Sequence, residues 1–421
     1  MTNQPKLARV RALKDGCKSN HIKVPGSKSI TNRALLVSAL ASGQSELSGV
    51  LFSDDTYYMR KALVQLGVNI EQNETDKKIV VHGTGKLAPS SEPLFLGNAG
   101  TAIRFLSAAS VLVPGKTVLD GDEYMRKRPI ESLVKVLKAT GADIRATEGC
   151  PPVHVQSDGN VKGDVFKINA SLSSQYVSAI LMIAPLMQKQ VSIELEGANI
   201  GGRGYIDITL AVMKAFGVEP TYSEEGRWLF EPANYKPIRY TIEPDASSCT
   251  YFWAIEALFD VKLDLGFEAM DLAQPDAKSK KFMSMFPNMP SEIEASQFQD
   301  AVPALAVLAA FNRHPVKFTG IENLRVKECD RISAINEGLN QIKSGLGTIK
   351  GDNLIVGGGL KIGDHTNGLI DSHDDHRIAM AFAVAALALR QLQISTPLCV
   401  GKTFPSFWDE LASLGAEVKL D

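Results

Sequence analysis

One pattern recurs six times along this 421-residue chain: a small polar turn of Gly, Ser, Asp or Asn leads directly into an apolar helix rich in Ala and Leu. The copies begin near Gly26, Gly97, Ser171, Ala246, Asp300 and Asp374, so successive copies are 71, 74, 75, 54 and 74 residues apart. A nearly fixed period indicates one structural unit repeated along the chain. This repeat constrains the fold more than any single motif does.

Each copy contains more than its first helix. A second, amphipathic helix follows in most units and tends to end on glycine, as in DDTYYMRKALVQLGV and RPIESLVKVLKATGADI. Two short alternating segments after it predict a hairpin. Each unit therefore reads β-α-β-α-β-β, and we expect six units to form two groups of three in an α/β fold. The fourth unit is shortened, and residues 272–296 show no clear hairpin pattern.

The first helix of each unit is apolar nearly all round, which predicts that it is buried. Its polar N-terminal turn carries N–H groups without helical partners and a partial positive charge, worth about 0.3–1 kcal/mol towards an anion at an exposed position. One interpretation is that the polar residues only cap their helices. The other is that the six N-termini converge on an anion-binding cleft, and the Lys and Arg residues interleaved with them favour it.

The overall composition bears on several functions. The formal net charge is −2, so no basic excess favours nucleic acid or an anionic membrane. The five cysteines are scattered singly, which argues against a disulfide framework and favours a reducing cytosol. The N-terminal residues lack the apolar stretch of a secretory signal. The longest apolar run, from Ile378 to Leu389, is too short to cross a bilayer and predicts a buried helix.

Four polar clusters accompany the turns. In PGSKSITNR, Lys28 and Ser29 lie in the opening turn of a helix, and Arg33 follows Ser29 by one turn on the same face. The other three clusters are Asn98, Ala99, Gly100, Thr101 and Arg104; Arg126, Lys127 and Arg128 before Pro129, which is predicted to open a helix; and Ser173, Ser174 and Gln175. These residue types suit phosphate oxygens, although a charge run such as 126–128 is more often a solvated face.

The segment RVKECDR contributes Arg325, Lys327, Glu328, Asp330 and Arg331. If it is helical, Lys327 and Arg331 are neighbours one turn apart. Two acids among three cations suit a site that binds an anion and keeps a carboxylate for proton transfer. A surface ladder of salt bridges is the alternative interpretation.

Two further motifs bear on metal and nucleotide chemistry. HDDHR at 373–377 contains metal-ligand types, but adjacent residues on a helix face apart and Arg377 would crowd a cation, so we expect no metal. The two GKT triplets lack the earlier glycine of a P-loop, because Thr396 and Ser110 occupy its position. No order of Ser, His and Asp indicates covalent catalysis.

Taken together, PGSKSITNRAL, LGNAGTAIR, KRPI, SLSSQ, YIDIT, DASS, RVKECDR, DDHR and GKTFP resemble the 5-enolpyruvylshikimate-3-phosphate (EPSP) synthases over residues 22–410. The resemblance implies the inside-out α/β barrel fold of enolpyruvyl transferases, with two domains of three βαβαββ repeats each around buried helices. It implies one domain at 23–243 and a discontinuous domain at 1–22 and 244–421, joined by crossovers near 22 and 243. The domains would close on substrate without metal or cofactor.

The resemblance also implies two sets of binding residues. The shikimate 3-phosphate set is Lys28, Ser29, Arg33, Ser173, Ser174, Gln175, Tyr205, Asp300, Asn323 and Lys327. The phosphoenolpyruvate set is Lys28, Gly100, Arg128, Gln175, Arg331, Arg377 and Lys402.

The family mechanism assigns three catalytic roles. Asp300 resembles the base that deprotonates the attacking hydroxyl, and Glu328, assisted by Lys28, resembles the acid that protonates the methylene carbon of phosphoenolpyruvate. The chain departs from the family pattern at Gly202, where many members carry a serine that contacts the substrate phosphate. Phe105 stands where many members carry Pro and others Leu.

Three other functions fit the sequence less well. An enolpyruvyl transferase acting on a UDP-aminosugar would carry Lys-Asn in place of Lys28-Ser29 and a cysteine in place of Glu123. A non-catalytic phosphate-binding module would gain nothing from Asp300 and Glu328. An RNA-end-processing enzyme of related fold would show basic excess or nucleotide chemistry. We therefore expect a cytoplasmic monomer acting on shikimate 3-phosphate and phosphoenolpyruvate, with no nucleic-acid or membrane partner.

Overall fold

The computed structural model describes residues 5–11, 20–161, 164–169, 173–197, 202–224 and 226–421. The chain forms two compact units, one of residues 26–244 and one of residues 1–25 and 245–421. The domain boundaries expected near 22 and 243 stay a prediction. The start of the third sequence repeat, Ser171, lies outside the described residues.

The described part of the chain contains twelve α-helices. They are α1 (Lys28–Leu40), α2 (Asp54–Gln65), α3 (Gly100–Ala109), α4 (Glu131–Leu137), α5 (Ser174–Ile183), α6 (Gly204–Ala215), α7 (Ala246–Phe259), α8 (Lys280–Met283), α9 (Val302–Ala310), α10 (Arg331–Ile342), α11 (His376–Ala388) and α12 (Phe407–Ser413). The odd-numbered helices are the first helices of the six repeats, and α3, α9 and α11 are buried at every position. None of the described helices combines the length and apolarity that a bilayer crossing needs.

Twenty strands accompany these helices in the described residues. They are β1 (Leu7–Arg11), β2 (Ser42–Ser48), β3 (Asn69–Asn73), β4 (Lys78–Thr84), β5 (Leu94–Phe95), β6 (Gly115–Asp120), β7 (Asp143–Thr147), β8 (Cys150–Ser157), β9 (Val165–Asn169), β10 (Val191–Glu196), β11 (Tyr222–Glu224), β12 (Arg227–Phe230), β13 (Arg239–Thr241), β14 (Glu292–Glu294), β15 (Val316–Thr319), β16 (Gly347–Lys350), β17 (Asn353–Val356), β18 (Leu369–Ile370), β19 (Gln393–Ser395) and β20 (Glu417–Leu420).

The strands form five sheets of one design. The sheets are β13-β2-β4-β3, β5-β6-β8-β7, β9-β10-β12-β11, β14-β15-β17-β16 and β18-β19-β1-β20. In every sheet the first pair is parallel and the next two pairs are antiparallel. Strands such as β4 alternate buried and exposed residues, so each sheet covers buried helices with one face. The predicted βαβαββ unit and the α/β fold class are confirmed.

Two repeats are completed by distant strands. The first repeat takes its parallel edge strand from β13, at the end of the 26–244 unit, where Arg239 pairs with Glu46. The sixth repeat takes β1 from the start of the chain, which lies between β19 and β20. Because these closing strands are only three to five residues long, the repeat pattern of the sequence did not reveal them.

The fourth repeat is reduced, as its spacing predicted. Residues 260–291, all of them described, contain the short helix α8 and two 3-10 turns but no strand. Each unit nevertheless has its own hydrophobic core, one drawn from residues 30–242 and the other from residues 8–22 and 249–416. A burial free energy of about 25 cal/mol per Å² of apolar surface makes each core the main source of its unit's stability.

Candidate active site

In the 26–244 unit, Lys28 opens α1 beside a buried acid. Ser27 caps the helix, because its hydroxyl accepts a hydrogen bond from the N–H of Ile30 at 3.4 Å. The Lys28 ammonium then lies 3.2 Å from a carboxylate oxygen of Asp55, in the first turn of α2, and their side chains are only 12% and 4% exposed. The predicted helix start is confirmed, whereas Asp55 was not among the expected site residues. The sequence pattern placed Asp55 only in the second, amphipathic helix of the first repeat.

Arg33 is 1% exposed, five residues into α1. Its guanidinium donates to the hydroxyl oxygens of Thr209 at 2.7 Å and Ser178 at 3.1 Å, and to the carbonyl oxygens of Ser29 at 2.8 Å and Tyr205 at 3.1 Å. Among the described residues no carboxylate lies within ion-pair distance of it. Burial lowers the pKa of Arg33 to about 10, which still leaves the side chain charged at neutral pH.

Gln175 joins the N-terminal ends of α3 and α5. Its amide donates to the Thr101 hydroxyl at 3.2 Å, and its amide oxygen accepts from Arg104 at 2.5 Å. The hydroxyl of Ser173 caps α5 by accepting from the Gln175 N–H at 3.2 Å, and Ser174 follows in the first turn. At these helix starts Ser173 is therefore a cap, whereas Gln175 is the hydrogen-bond partner of Thr101 and Arg104.

Arg128 packs against the start of α3. Its guanidinium donates to the side-chain oxygen of Asn98 at 3.0 Å, and a Cβ at Gly100 would lie 2.7–2.8 Å from the guanidinium atoms. A larger residue at position 100 would therefore force the Arg128 guanidinium to shift. Only Arg128 of the 126–128 run is buried, since Arg126 pairs with Asp120 at the surface. Pro129 does not open a helix as expected, because α4 begins at Glu131.

Tyr205 and Gly202 lie near the start of α6. The Tyr205 carbonyl is held by Arg33, and its side chain is half-buried. Gly202 has a φ of 68°, a left-handed conformation that an L-serine rarely adopts. A Cβ there would lie 3.3 Å from the Ser174 hydroxyl oxygen. The local backbone therefore suits the glycine that departs from the family pattern.

In the other unit, Arg331 connects three carboxylates. It is 1% exposed, and its terminal nitrogens lie 3.0 Å from Asp300 and 2.6 Å from Glu328. Its Nε lies 2.7 Å from Asp375, which is fully buried. The structure thus brings together the two carboxylates expected to act as base and acid. Asp375 was weighed in the sequence only as a metal ligand, and its pairing with Arg331 was missed.

Two more cations complete this cluster. Arg377 lies 2.9 Å from the second oxygen of Asp300, and Lys402 lies 3.2 Å from the second oxygen of Glu328. Asp300 and Glu328 therefore each pair with two cations, and the hydrogen bonds that hold them are strengthened by charge. We call Asp300, Glu328, Arg331, Asp375, Arg377 and Lys402 the second cluster.

RVKECDR is not the helix that was considered. A 3-10 helix, Glu322–Val326, contains buried Asn323 and ends before Lys327, and α10 starts only at Arg331 with Asp330 as its cap. Lys327 and Arg331 are therefore not neighbours on one helix. Arg325 pairs with Asp330 at 2.8 Å and with Asp352 at 2.7 Å near the surface, so the salt-bridge alternative applies to this part of the segment.

The HDDHR motif opens α11. Asp375 caps the helix by accepting from the Arg377 N–H at 2.8 Å, and His376 is fully buried behind it. Tyr251 on α7 faces the same arginine, and burial raises the pKa of its phenol, although Arg377 opposes the rise. Among the described residues no group of three metal-ligating side chains is close enough to hold an ion.

The two groups of side chains differ in charge. The first cluster, Lys28, Arg33, Arg104, Arg128 and Asp55, contains four cations and one carboxylate. The second cluster contains three of each. The first arrangement suits an anionic substrate, and the second suits proton transfer next to positive charge.

Solved structures share this fold. The enolpyruvyl transferase NikO from Streptomyces tendae has a TM-score of 0.75 at 16% identity, covering 99% of both chains. The EPSP synthase from Acinetobacter baumannii has a TM-score of 0.77 at 24% identity, covering 98% of this chain and 100% of that one. The fold is therefore that of the enolpyruvyl transferases, as predicted.

The family follows from the sequence comparisons. The family model described as EPSP synthase (3-phosphoshikimate 1-carboxyvinyltransferase) matches residues 17–411. The 3-phosphoshikimate 1-carboxyvinyltransferase of Rhizobium etli (strain ATCC 51251) is 53% identical over 392 residues, 93% of each chain. This chain belongs to the EPSP synthase family, a family of transferases whose reaction moves the enolpyruvyl group of phosphoenolpyruvate to shikimate 3-phosphate. The predicted family and reaction are confirmed.

Proposed function

We propose that this chain joins phosphoenolpyruvate to the 5-hydroxyl of shikimate 3-phosphate by addition and elimination, with Asp300 and Glu328 as its base and acid. The observation that carries the proposal is the bridge between them, in which Arg331 lies 3.0 Å from Asp300 and 2.6 Å from Glu328. One cation between two carboxylates places positive charge beside each group that must accept or donate a proton.

Shikimate 3-phosphate would be held largely by residues of the 26–244 unit, including Lys28 and Arg33 of the first cluster. Ser29, Ser173, Ser174 and Gln175 offer neutral hydrogen bonds at helix N-termini, and Lys28 and Arg33 supply charge. Tyr205, Asp300, Asn323 and Lys327 would complete the set. The excess of cations over carboxylates supports this assignment because the substrate carries both a phosphate and a carboxylate.

Phosphoenolpyruvate would be bound by Arg128, Arg331, Arg377 and Lys402, with Lys28, Gln175 and Gly100. Support comes from Arg377 and Lys402, each of which is largely buried and pairs with a proposed catalytic carboxylate at 2.9 and 3.2 Å. An anion bound there would compete with Asp300 and Glu328 for these cations. Binding would therefore loosen both carboxylates at the time when they must accept or donate a proton.

The proposed reaction has an addition step and an elimination step. Asp300 takes the proton of the 5-hydroxyl of shikimate 3-phosphate. The hydroxyl oxygen bonds at the same time to the central carbon of phosphoenolpyruvate. Glu328, which must enter this step as the carboxylic acid, donates its proton to the methylene carbon with the assistance of Lys28 and becomes a carboxylate. The methylene becomes a methyl group in a tetrahedral intermediate. Glu328 then reclaims a proton from that methyl group as the carbon–oxygen bond to phosphate breaks. The cations stabilise the phosphate that leaves.

We also propose that the protein works in the cytoplasm as a monomer, without nucleic acid or membrane. The scattered cysteines and the small net charge support this. Light scattering of the purified protein during gel filtration tests the oligomeric state. A mass near 45.5 kDa is expected, and twice that mass would contradict the proposal.

A phosphate-release assay tests the function. With phosphoenolpyruvate and shikimate 3-phosphate we expect one phosphate released per enolpyruvyl ether formed, with the ether detected by mass spectrometry. With shikimate in place of shikimate 3-phosphate we expect release at least about 100-fold slower, because the phosphate contacts are lost. Equal rates with both acceptors, or release without an acceptor, would contradict the proposal.

A further inference from the structure

The YIDIT motif ends in a threonine to which the proposed mechanism gives no role. Thr209 lies in α6 one turn after Tyr205, and its side chain is fully buried. Its hydroxyl oxygen accepts the Nε–H of Arg33 at 2.7 Å, the shortest of the four hydrogen bonds that Arg33 donates to described residues. The hydroxyl proton is within reach of the Tyr205 carbonyl at 2.9 Å and of Ser178 Oγ at 2.8 Å.

These contacts fix the plane of the Arg33 guanidinium. Ser178 on α5 accepts from one terminal nitrogen at 3.1 Å, and the ring of Phe105 on α3 lies 5.2 Å from the guanidinium carbon. A cation over an aromatic face is attracted by the ring, and the attraction grows when water is excluded. The side chain of Arg33, which extends from α1, is therefore held by residues of α3, α5 and α6.

The charge of Arg33 is not neutralised by these partners. Hydroxyl and carbonyl oxygens satisfy its N–H groups, and among the described residues no carboxylate pairs with it. A guanidinium has five N–H groups and four are donated here, so one remains on the nitrogen that faces the Ser29 carbonyl. An oriented buried cation of this kind attracts an anion placed beside Ser29.

We propose that Thr209 is a positioning residue for shikimate 3-phosphate, acting through Arg33 together with Ser178 and Phe105. The inference rests on the proposed function, in which Arg33 and Ser29 bind that substrate. Thr209 does not touch the substrate itself. Without its hydroxyl, the Nε–H of a buried cation would lose its partner, and the guanidinium would turn to recover one.

Thr209→Val tests this, because valine keeps the shape and removes the hydroxyl, while Thr209→Ser keeps the hydroxyl. We expect Thr209→Val to raise the KM for shikimate 3-phosphate by about 10-fold or more, the usual effect of losing a hydrogen bond to a charged group. The KM for phosphoenolpyruvate should stay within about 2-fold, and Thr209→Ser should stay within about 3-fold of the parent for both substrates. Equal KM values for the valine and serine variants would overturn the inference.

Thr140→Val is the matched control. Thr140 is buried in the same unit, but its hydroxyl bonds to the Leu137 carbonyl at 2.6 Å and not to Arg33. A merely structural role for Thr209 would lower thermal stability in both valine variants and leave the KM values of the active protein unchanged. A rise in the KM for shikimate 3-phosphate in Thr140→Val as large as that in Thr209→Val would also overturn the inference.

If Thr209→Val does not fold, a second variant still tests the inference. Ser178→Ala removes the other hydroxyl that Arg33 contacts and should show the same selective rise in KM. A parental KM in Ser178→Ala would count against the inference. The unsubstituted protein distinguishes the proposed function from the positioning role of Thr209. If it releases no phosphate, the proposed function is contradicted. If it is active and the variants have the same KM values, only the role of Thr209 is contradicted.

Discussion

Arg331 and Asp375 form a buried ion pair in which Nε lies 2.7 Å from one carboxylate oxygen and a terminal nitrogen 3.3 Å from the other. Both side chains are at most 1% exposed. This two-point contact leaves the outer edge of the guanidinium directed at Asp300 and Glu328. Asp375 therefore sets the position of the cation that bridges the proposed base and acid.

Asp375→Asn should weaken both stability and turnover. The amide keeps one acceptor but removes one of the three carboxylates that pair with the buried Arg331 guanidinium. Losing a hydrogen bond between charged groups costs about 1.5–3 kcal/mol. Urea unfolding measures the first effect, and phosphate release measures the second. Asp352→Asn, which alters an exposed partner of Arg325, should change neither by much. A parental free energy of unfolding in Asp375→Asn would contradict this role.

The architecture was predictable because the repeat shows in the sequence. Apolar first helices, polar starts and a near-constant period predicted six units, and a 54-residue interval predicted the reduced fourth repeat. The closing strands β1 and β13 were not predictable, because such short strands carry too little alternation to indicate their partners.

The site was predictable only in part. The proposed ligands stood in recognisable motifs, but the residues that hold them did not. Asp55 pairs with Lys28 from another helix, and Thr209 reaches Arg33 across 176 positions of sequence. Such pairings depend on how helices pack, which periodicity does not specify. The helix considered for RVKECDR was wrong because Asp330 makes a better cap than a helix interior residue.

Lys28→Met should reduce turnover by at least about 100-fold if Lys28 stabilises charge during the reaction. Methionine keeps the length of the side chain and removes the ammonium that pairs with Asp55. Single-turnover phosphate release measures the effect. Lys61→Met, at an exposed position of α2, is the control and should leave turnover unchanged. Near-normal turnover in Lys28→Met would remove Lys28 from the mechanism.

Arg128→Ala and Arg126→Ala form a matched pair two residues apart. Arg128 is buried against Gly100 and Asn98, whereas Arg126 is an exposed partner of Asp120. We expect Arg128→Ala to lower kcat/KM for phosphoenolpyruvate by about 100-fold, as for other lost charge-assisted contacts to an anion. Arg126→Ala should keep the parental value. Equal effects would show that the run acts only through its summed charge.

Native Cys329 and Cys399 should resist alkylation. Burial raises the pKa of Cys399 to about 12, and burial together with Asp375 raises the pKa of Cys329. A raised pKa lowers the thiolate fraction, so at pH 8 iodoacetamide should modify Cys399 about a thousandfold more slowly than an ordinary thiol. Mass spectrometry of native and urea-unfolded protein gives both rates. Equal rates in the two states would contradict the raised pKa of these half-buried thiols.

Deuterium incorporation tests the central claim most directly, namely that a carboxylate adds a proton to the methylene carbon and then takes one away. When the reaction runs in D₂O, the intermediate gains one deuterium in its methyl group, and elimination leaves part of it in the product. We therefore predict a deuterated methylene in the enolpyruvyl ether, measured by NMR, and neither ether nor exchange above background in Glu328→Gln. A parent that forms the ether without any deuterium would contradict addition and elimination.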